Sequence, residues 1–423
     1  MLLPALLALA VLWQVRTVQS SDLPVALAAK ADGFPQLVKS IEQATAERVA
    51  RGENEHLVYF ILQSASFARR PHIEPARSAR EFVEGLDPAE RARLLESGEA
   101  PGSIPPDAVR ARIRDFIQIL GRAVRDERLR YFKTLPVCRA PSERALADEY
   151  ARAMRFVYLK EFTPRGADGS LYHDRGHSTD TQVEANFAIW TGLSVLKTIH
   201  PETRIERVLI IGPGLDFASR TDFFDVLPPQ SYQPYAVADA LIGLGLSAPD
   251  RLRIHCVDIN PRVVDFLNGF ARREERKLVL LSRTADPDFA EYFAGLGHHI
   301  GVETGGPHYG LPLEKTIAVR ESVARSVDAA LLNIATQRYD PSPAFDLVIA
   351  TNVLLYLNKF ERELAISSVA AMLAPEGYFM HNEPTPEVEA CGRVAGLDVV
   401  QARILRLGRF TDSFVIQRKQ SDR

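Results

Sequence analysis

The chain has 423 residues, 46% of them hydrophobic and 25% charged, which excludes an intrinsically disordered protein and leaves room for more than one domain. A formal net charge of −3 provides no global basic field, so the composition speaks against a nucleic-acid partner. Three widely separated cysteines, Cys138, Cys256 and Cys391, cannot all pair and show no metal-type spacing.

Met1 to Trp13 carries no charge and is followed by Val18-Gln19-Ser20, a small-residue cleavage pattern. Residues 1–20 therefore read as a signal peptide, and the product as exported or periplasmic. A basic start is missing, so a buried N-terminal helix in a cytoplasmic protein is the other reading. Thirteen helical residues span about 20 Å against a bilayer core of about 30 Å, which argues against a stable transmembrane span.

Residues 21–177 read as an α-helical N-terminal domain. Leu37, Ile41, Ala44 and Val49 fall near one face of a helix over 34–50, and Ile113, Phe116, Ile117 and Leu120 do so over 109–120. Pro71, Pro75, Pro88, Pro101, Pro105 and Pro106 divide the rest into short helices. The stretch 166–180 is rich in glycine and polar residues, and is either a linker or a cover over a bound cofactor. Ser178 or Thr179 then caps a helix running to about Ile199.

From 178 to 423 the pattern alternates between strands and helices. Strands are expected at 207–211, 253–258, 327–334, 345–350 and 377–381, with helices at about 233–245, 261–276 and 360–373, which implies a parallel sheet covered on both faces. Leu397–Leu407 and Ser413–Arg418 make a terminal hairpin around Gly408. The fold class is α/β: a Rossmann-like sheet with a terminal antiparallel hairpin, preceded by the helical domain.

Gly212 and Gly214 follow the first strand, where a sharp turn brings backbone N–H groups toward a ligand. Asp258, with Ile259 beside it, ends the second, where a carboxylate accepts from a ribose diol. Together they point to a nucleoside-containing cofactor. The interval between them is about twice the usual 20 residues or so, so an insertion at about 216–232 is expected. A second insertion, 277–326, reads as a glycine-rich loop; it carries His298, His299 and His308 without the helical spacing or carboxylates of a zinc site, and no metal is expected.

Four stretches in this order resemble the class I S-adenosylmethionine-dependent methyltransferases over about 200–423: the Gly212-Pro213-Gly214 turn, Val257-Asp258, the run from Phe345 to Leu357 (FDLVIATNVLLYL), and Met372 to Phe379 (MLAPEGYF). The NVLLY segment is similar to the chemotaxis-receptor glutamate methyltransferases. The resemblance implies S-adenosylmethionine as cofactor and methyl transfer by in-line displacement to an acceptor that the sequence does not identify. It implies cofactor contacts at Gly212, Gly214, Asp258, Ile259 and Asn333, the last standing where the family usually has an acid for the adenine. It places acceptor-side candidates at Asn352, Tyr356, His381 and Glu383. The family's usual acid before the glycine turn is Ile210 here, and its third glycine is Asp216, which either receives the methionine ammonium or caps the next turn. Two other readings stay open: a methyltransferase-like fold serving as a binding or scaffold protein, and a relative of the aminopropyl transferases.

Overall fold

The computed structural model describes residues 14–23, 33–122, 126–164, 171–172, 175–178, 181–215, 229–340, 344–408 and 410–420. The helical region is built on α1, Phe34–Gln63, which runs 13 residues beyond the expected end at Ala50. Arg51-Gly52-Glu53 breaks the apolar period, but Leu57 to Leu62 beyond it are all buried, and that burial outweighs the local break. Against α1 pack α4 (Asp107–Leu120), α5 (Glu127–Phe132) and α6 (Glu143–Phe162), and against α6 pack α2 (Pro75–Gly85) and α3 (Pro88–Ser97). Pro75 and Pro88 open their helices, where a missing N–H costs nothing, and Glu74 and Asp87 cap them. Helix α7, Ala185–Ile199, starts seven residues later than Ser178. Ser178 meets His56 Nε2 at 3.0 Å instead of capping, and Thr179 lies outside the described residues.

The strands of the second half are, after a short β1 at Gln14–Thr17, β2 (Arg207–Ile211), β3 (Arg253–Asp258), β4 (Lys277–Ser282), β5 (Gly301–Thr304), β6 (Leu313–Val319), β7 (Val327–Leu331), β8 (Gln337–Asp340), β9 (Phe345–Ala350), β10 (Leu373–His381), β11 (Leu397–Leu407) and β12 (Phe410–Lys419). Between them lie α8 (Gln233–Gly243), α9 (Pro261–Phe270), α10 (Pro287–Gly295), α11 (Glu321–Ala324), α12 (Lys359–Met372) and α13 (Pro386–Val394). The main sheet has the order β11-β12-β10-β9-β2-β3-β7. Five strands from β10 to β7 are parallel; β12 is inserted antiparallel between β10 and β11. The fully buried run Val208 to Ile211 at its centre is what a strand covered on both faces requires.

Three expected boundaries move. Strand β7 stops at Leu331 because the carbonyl of Asn333 accepts from Thr336 N and Gln337 N, turning the chain into β8. Strand β10 starts at Leu373 because the Pro375-Glu376-Gly377 turn is absorbed as an irregularity between Leu373 and Tyr378, with Glu376 at a φ of 62°. Residues 277–319 form a three-stranded antiparallel sheet, β4-β6-β5, with α10, where a glycine-rich loop was expected. Gly301 belongs to its strand pairing, since a Cβ there would lie 2.2 Å from the Ala318 carbonyl oxygen.

Two apolar cores result. One joins the helical region to one face of the main sheet and to the small sheet; the other lies between the opposite sheet face and α12 and α13. A third, smaller cluster joins Val18, Phe34, Val38 and Ile41 to Ala335 and Leu364. Beside it β1 pairs antiparallel with β8. Among the described residues no helix is long and apolar enough to cross a membrane.

Candidate cofactor site

Strand order reverses between β2 and β9, and a crevice opens there at the carboxyl ends, the place where open α/β sheets take ligands. Gly212 and Gly214 turn the chain with φ of 66° and 67°, a conformation that other residues adopt at a cost. A Cβ on Gly212 would lie 2.8 Å from Val353 Cγ2, so this turn also needs the missing side chain for space. The crevice narrows to a cavity of about 80 Å³. Its walls include Gly212, Gly214, Asp258, Ile259, Asn333, Asn352 and Tyr356, all seven expected from sequence. His381 and Glu383 are not among its described lining residues, and Asp216 lies outside the described residues together with most of the first insertion.

Asp258 is buried, and burial pushes its carboxyl up to about 7 against the pull of N–H groups from Asn260, Gly214 and Ile259; the negative charge of Glu53 pushes the same way. Asn260 N donates to Asp258 Oδ1 at 2.8 Å, leaving acceptor capacity on the carboxylate for a diol. The Asn333 side chain is already engaged: its Oδ1 accepts from Ala335 N at 3.1 Å and its Nδ2 donates to Thr45 Oγ1 at 3.3 Å. Asn352 sits at a φ of 56° and is paired twice with Asn382: its N donates to Asn382 Oδ1 at 2.8 Å, and its Oδ1 accepts from Asn382 Nδ2 at 2.9 Å. The Tyr356 hydroxyl accepts from Arg175 at 3.2 Å. His381 is buried against Phe379, its Nδ1 accepts from Glu383 N at 3.2 Å, and burial lowers its pKa to about 3. A ring so depressed stays neutral and is a weak base. Burial raises the Glu383 carboxyl.

The remaining wall comes from the helical region. Thr45 and Val49, one turn apart on α1, face the cavity, and His177 and Ser178 roof it. This roof crosses α1 in backbone contact: a Cβ on Gly52 would lie 1.6 Å from the His177 carbonyl oxygen, and one on Gly176 would lie 2.1 Å from Gly52 N. His177 N donates to Arg48 O at 2.9 Å, and the His177 ring packs 5.3 Å from that of Tyr356. From sequence the stretch 166–180 reads as either a linker or a cofactor cover, Ser178 as a helix cap and Val49 as part of an apolar face, with no cavity role for Thr45 or His177. A usable signal was present in Gly52, a glycine inside a helix, where it costs about 1 kcal/mol relative to alanine unless something crosses there.

The donor set fits S-adenosylmethionine: two backbone turns at the head of the crevice, a strand-end carboxylate for a ribose and an apolar rim of Ile211, Val257, Ile334 and Val353. The volume is smaller than the roughly 300 Å³ or more that ligand pockets of this kind occupy.

No protein-family model matches the chain. It is 26% identical over 160 residues to the chemotaxis protein methyltransferase of Escherichia coli strain K12, covering 37% of this chain and 50% of that protein. It is 26% identical over 145 residues to the protein of the same name from Salmonella typhimurium, covering 34% and 44%. The chain thus spans about half the length of the curated relatives it matches. Among solved structures it is similar to magnesium protoporphyrin IX methyltransferase from Synechocystis PCC 6803, at 10% identity, 62% and 94% coverage and a TM-score of 0.31. It is also similar to the N-methyltransferase NodS from Bradyrhizobium japonicum, at 15% identity, 55% and 85% coverage and a TM-score of 0.29. At such scores neither structure bears on the site. The sheet half of this chain thus has a Rossmann-like sheet with an antiparallel inserted strand, and its sequence is similar to those of chemotaxis protein methyltransferases.

Proposed function

We propose that the chain binds S-adenosylmethionine in the crevice between β2 and β9 and transfers its methyl group to an acceptor. The observation that carries this reading is the convergence of the Gly212–Gly214 turn, Asp258 and the Asn352–Tyr356 loop on one cavity at the switch point. The cofactor supplies a methyl group on a sulfonium, a leaving group that needs no acid. Gly212 and Gly214 let the backbone approach it, Asp258 accepts from its ribose, and Asn352, fixed by Asn382, marks the acceptor side. Helix α1 and the His177 roof keep water out. His381 stands apart from the cavity and is too weak a base to deprotonate an acceptor there.

Calorimetric titration with S-adenosylhomocysteine tests this. Wild type should bind, and Asp258→Ala should abolish detectable binding. Because ribose recognition uses the ionised carboxylate, affinity should fall about tenfold per pH unit below pH 7 and level off above it. A second reading, a methyltransferase-like binding protein without catalysis, draws on the tightness of the cavity and on the internally engaged Asn333. Folded wild-type protein that takes no cofactor at any pH would favour it and remove the first.

A further inference from the structure

Asn260 stands between two carboxylates that come from opposite halves of the chain. Its backbone N–H donates to Asp258 Oδ1 at 2.8 Å, and its Nδ2 donates to Glu53 Oε1 at 2.6 Å. Its Oδ1 accepts from Arg262 N at 3.0 Å, capping α9. A helix N–H needs the amide oxygen and a carboxylate needs the amide nitrogen, so only one orientation of this side chain satisfies both.

Glu53 is 2% exposed. It lies on α1 one turn beyond Val49 and two turns beyond Thr45, on the stripe that walls the cavity. The Tyr131 hydroxyl of α5 donates to its Oε2, and the Arg262 guanidinium of α9 lies 4.0 Å away. Burying a carboxylate is costly even when it is hydrogen bonded, and an apolar residue would pack α1 at less cost. The charge at this position serves something other than packing.

We propose that Glu53 is a positioning residue of the cofactor site: acting through Asn260, it sets the turn that presents Asp258, so that the helical region governs how strongly the cavity holds its ligand. The proposal rests on reading the cavity as the S-adenosylmethionine site. Glu53 acts in two separable ways. Its reach fixes Asn260, and its ionised form opposes ionisation of Asp258, while burial raises the Glu53 carboxyl itself against the pull of Tyr131, Arg262 and Asn260. The other titratable groups around the pair are Tyr131, Arg262, Cys256 on β3, and His177 and Tyr356 across the cavity.

The test is titration of the full chain with S-adenosylhomocysteine from pH 5.5 to 8.5, with thermal unfolding followed in parallel. Glu53→Gln keeps the acceptor oxygen and loses the charge. Its affinity above pH 8 should stay within about twofold of wild type while the pH midpoint of binding moves down by about half a unit or more. Glu53→Asp keeps the charge and shortens the reach, so its midpoint should stay in place while its affinity falls about tenfold at every pH. A Glu53→Gln protein that is less stable but has an unmoved midpoint, or a Glu53→Asp protein with wild-type affinity, overturns the proposal. If one variant does not fold, the other decides. Wild type that binds while the variants behave as wild type removes only this proposal, whereas wild type that never binds removes the cofactor reading and this proposal with it.

Discussion

The two sides of helix α1 meet opposite surroundings. On one side Thr45, Val49 and Glu53 press against the carboxyl ends of β2, β3 and β9, and leave a cavity of about 80 Å³. On the other, Arg48, Arg51 and Glu55 line a cleft of about 660 Å³ together with Arg152, Arg155, Arg175, Glu149 and Glu361. The small side holds two buried carboxylates, Glu53 and Asp258, with no cation closer than 4.0 Å among the described residues, whereas the wide side is laced with ion pairs. Arg48 binds Glu361 at 2.8 Å and the Tyr356 carbonyl at 3.0 Å, and Arg175 pairs with Glu55 while donating to Tyr356. The polar side therefore holds α1 in place, and that place sets how much room the cavity has. The cofactor cavity is therefore shaped from outside the sheet.

Cutting the latch on the polar side should have the largest effect. Arg48 and Glu361 are both buried, and Glu361 also closes the capping box of α12, accepting from Asn358 N at 2.9 Å. Arg48→Ala strands the Glu361 charge, and the expected loss in denaturant unfolding is about 3–5 kcal/mol. Replacing both partners, Arg48→Met with Glu361→Gln, should cost less than the single change, because no uncompensated charge remains. Equal losses would show that the pair does not act as a unit.

How much of this was legible in the sequence follows the same division. Strands 207–211, 253–258 and 345–350 were readable to the residue because each is a buried β-branched or apolar run closed by Gly, Asp-Ile-Asn-Pro or Thr-Asn. The glycine turn and Asp258 came with them, since both sit at strand ends, where position follows from the period. Glu53, Thr45 and His177 were not readable. Thr45 and Glu53 lie more than a hundred residues from the strands they meet, with two exceptions to the apolar pattern, Gly52 and Glu53, as their trace, and His177 sits in a polar stretch whose composition fits a linker as well as a cover. The small sheet of 277–319 was hidden for a different reason: glycines at 295, 297, 305, 306 and 310 fill the connections between its strands, and only Gly301 lies in a strand, so composition gave the whole segment the look of a loop.

Gly52→Ala probes the crossing directly, with an intermediate effect. In an exposed helix this change stabilises by about 1 kcal/mol. Here the new methyl would meet the His177 carbonyl oxygen at 1.6 Å, and backbone cannot swing aside as a side chain does. A net destabilisation of about 1–3 kcal/mol is expected in thermal unfolding. Displacing His177 and Ser178 should also weaken S-adenosylhomocysteine binding. Stabilisation by Gly52→Ala would mean that the roof does not rest on α1.

The smallest effect sharpens the comparison at the start of α1. There β1 pairs with β8, Val18 packs on Phe34 and Ile41, and Arg16 binds Asp22 Oδ1 at 2.9 Å and Asp340 at 2.8 Å while Arg338 also binds Asp22. The Arg16–Asp340 pair resembles those of the wide cleft in chemistry but not in setting, since its side chains are 29% and 58% exposed, and Asp22, at 11%, keeps Arg338 when Arg16 is lost. Water and salt screen that pair, so Arg16→Ala should cost less than about 1 kcal/mol, and the cost should shrink further at high ionic strength. The Arg48 latch, being buried, should keep its full effect in the same salt series. If both losses faded alike with salt, burial would not be what separates the two ends of the helix.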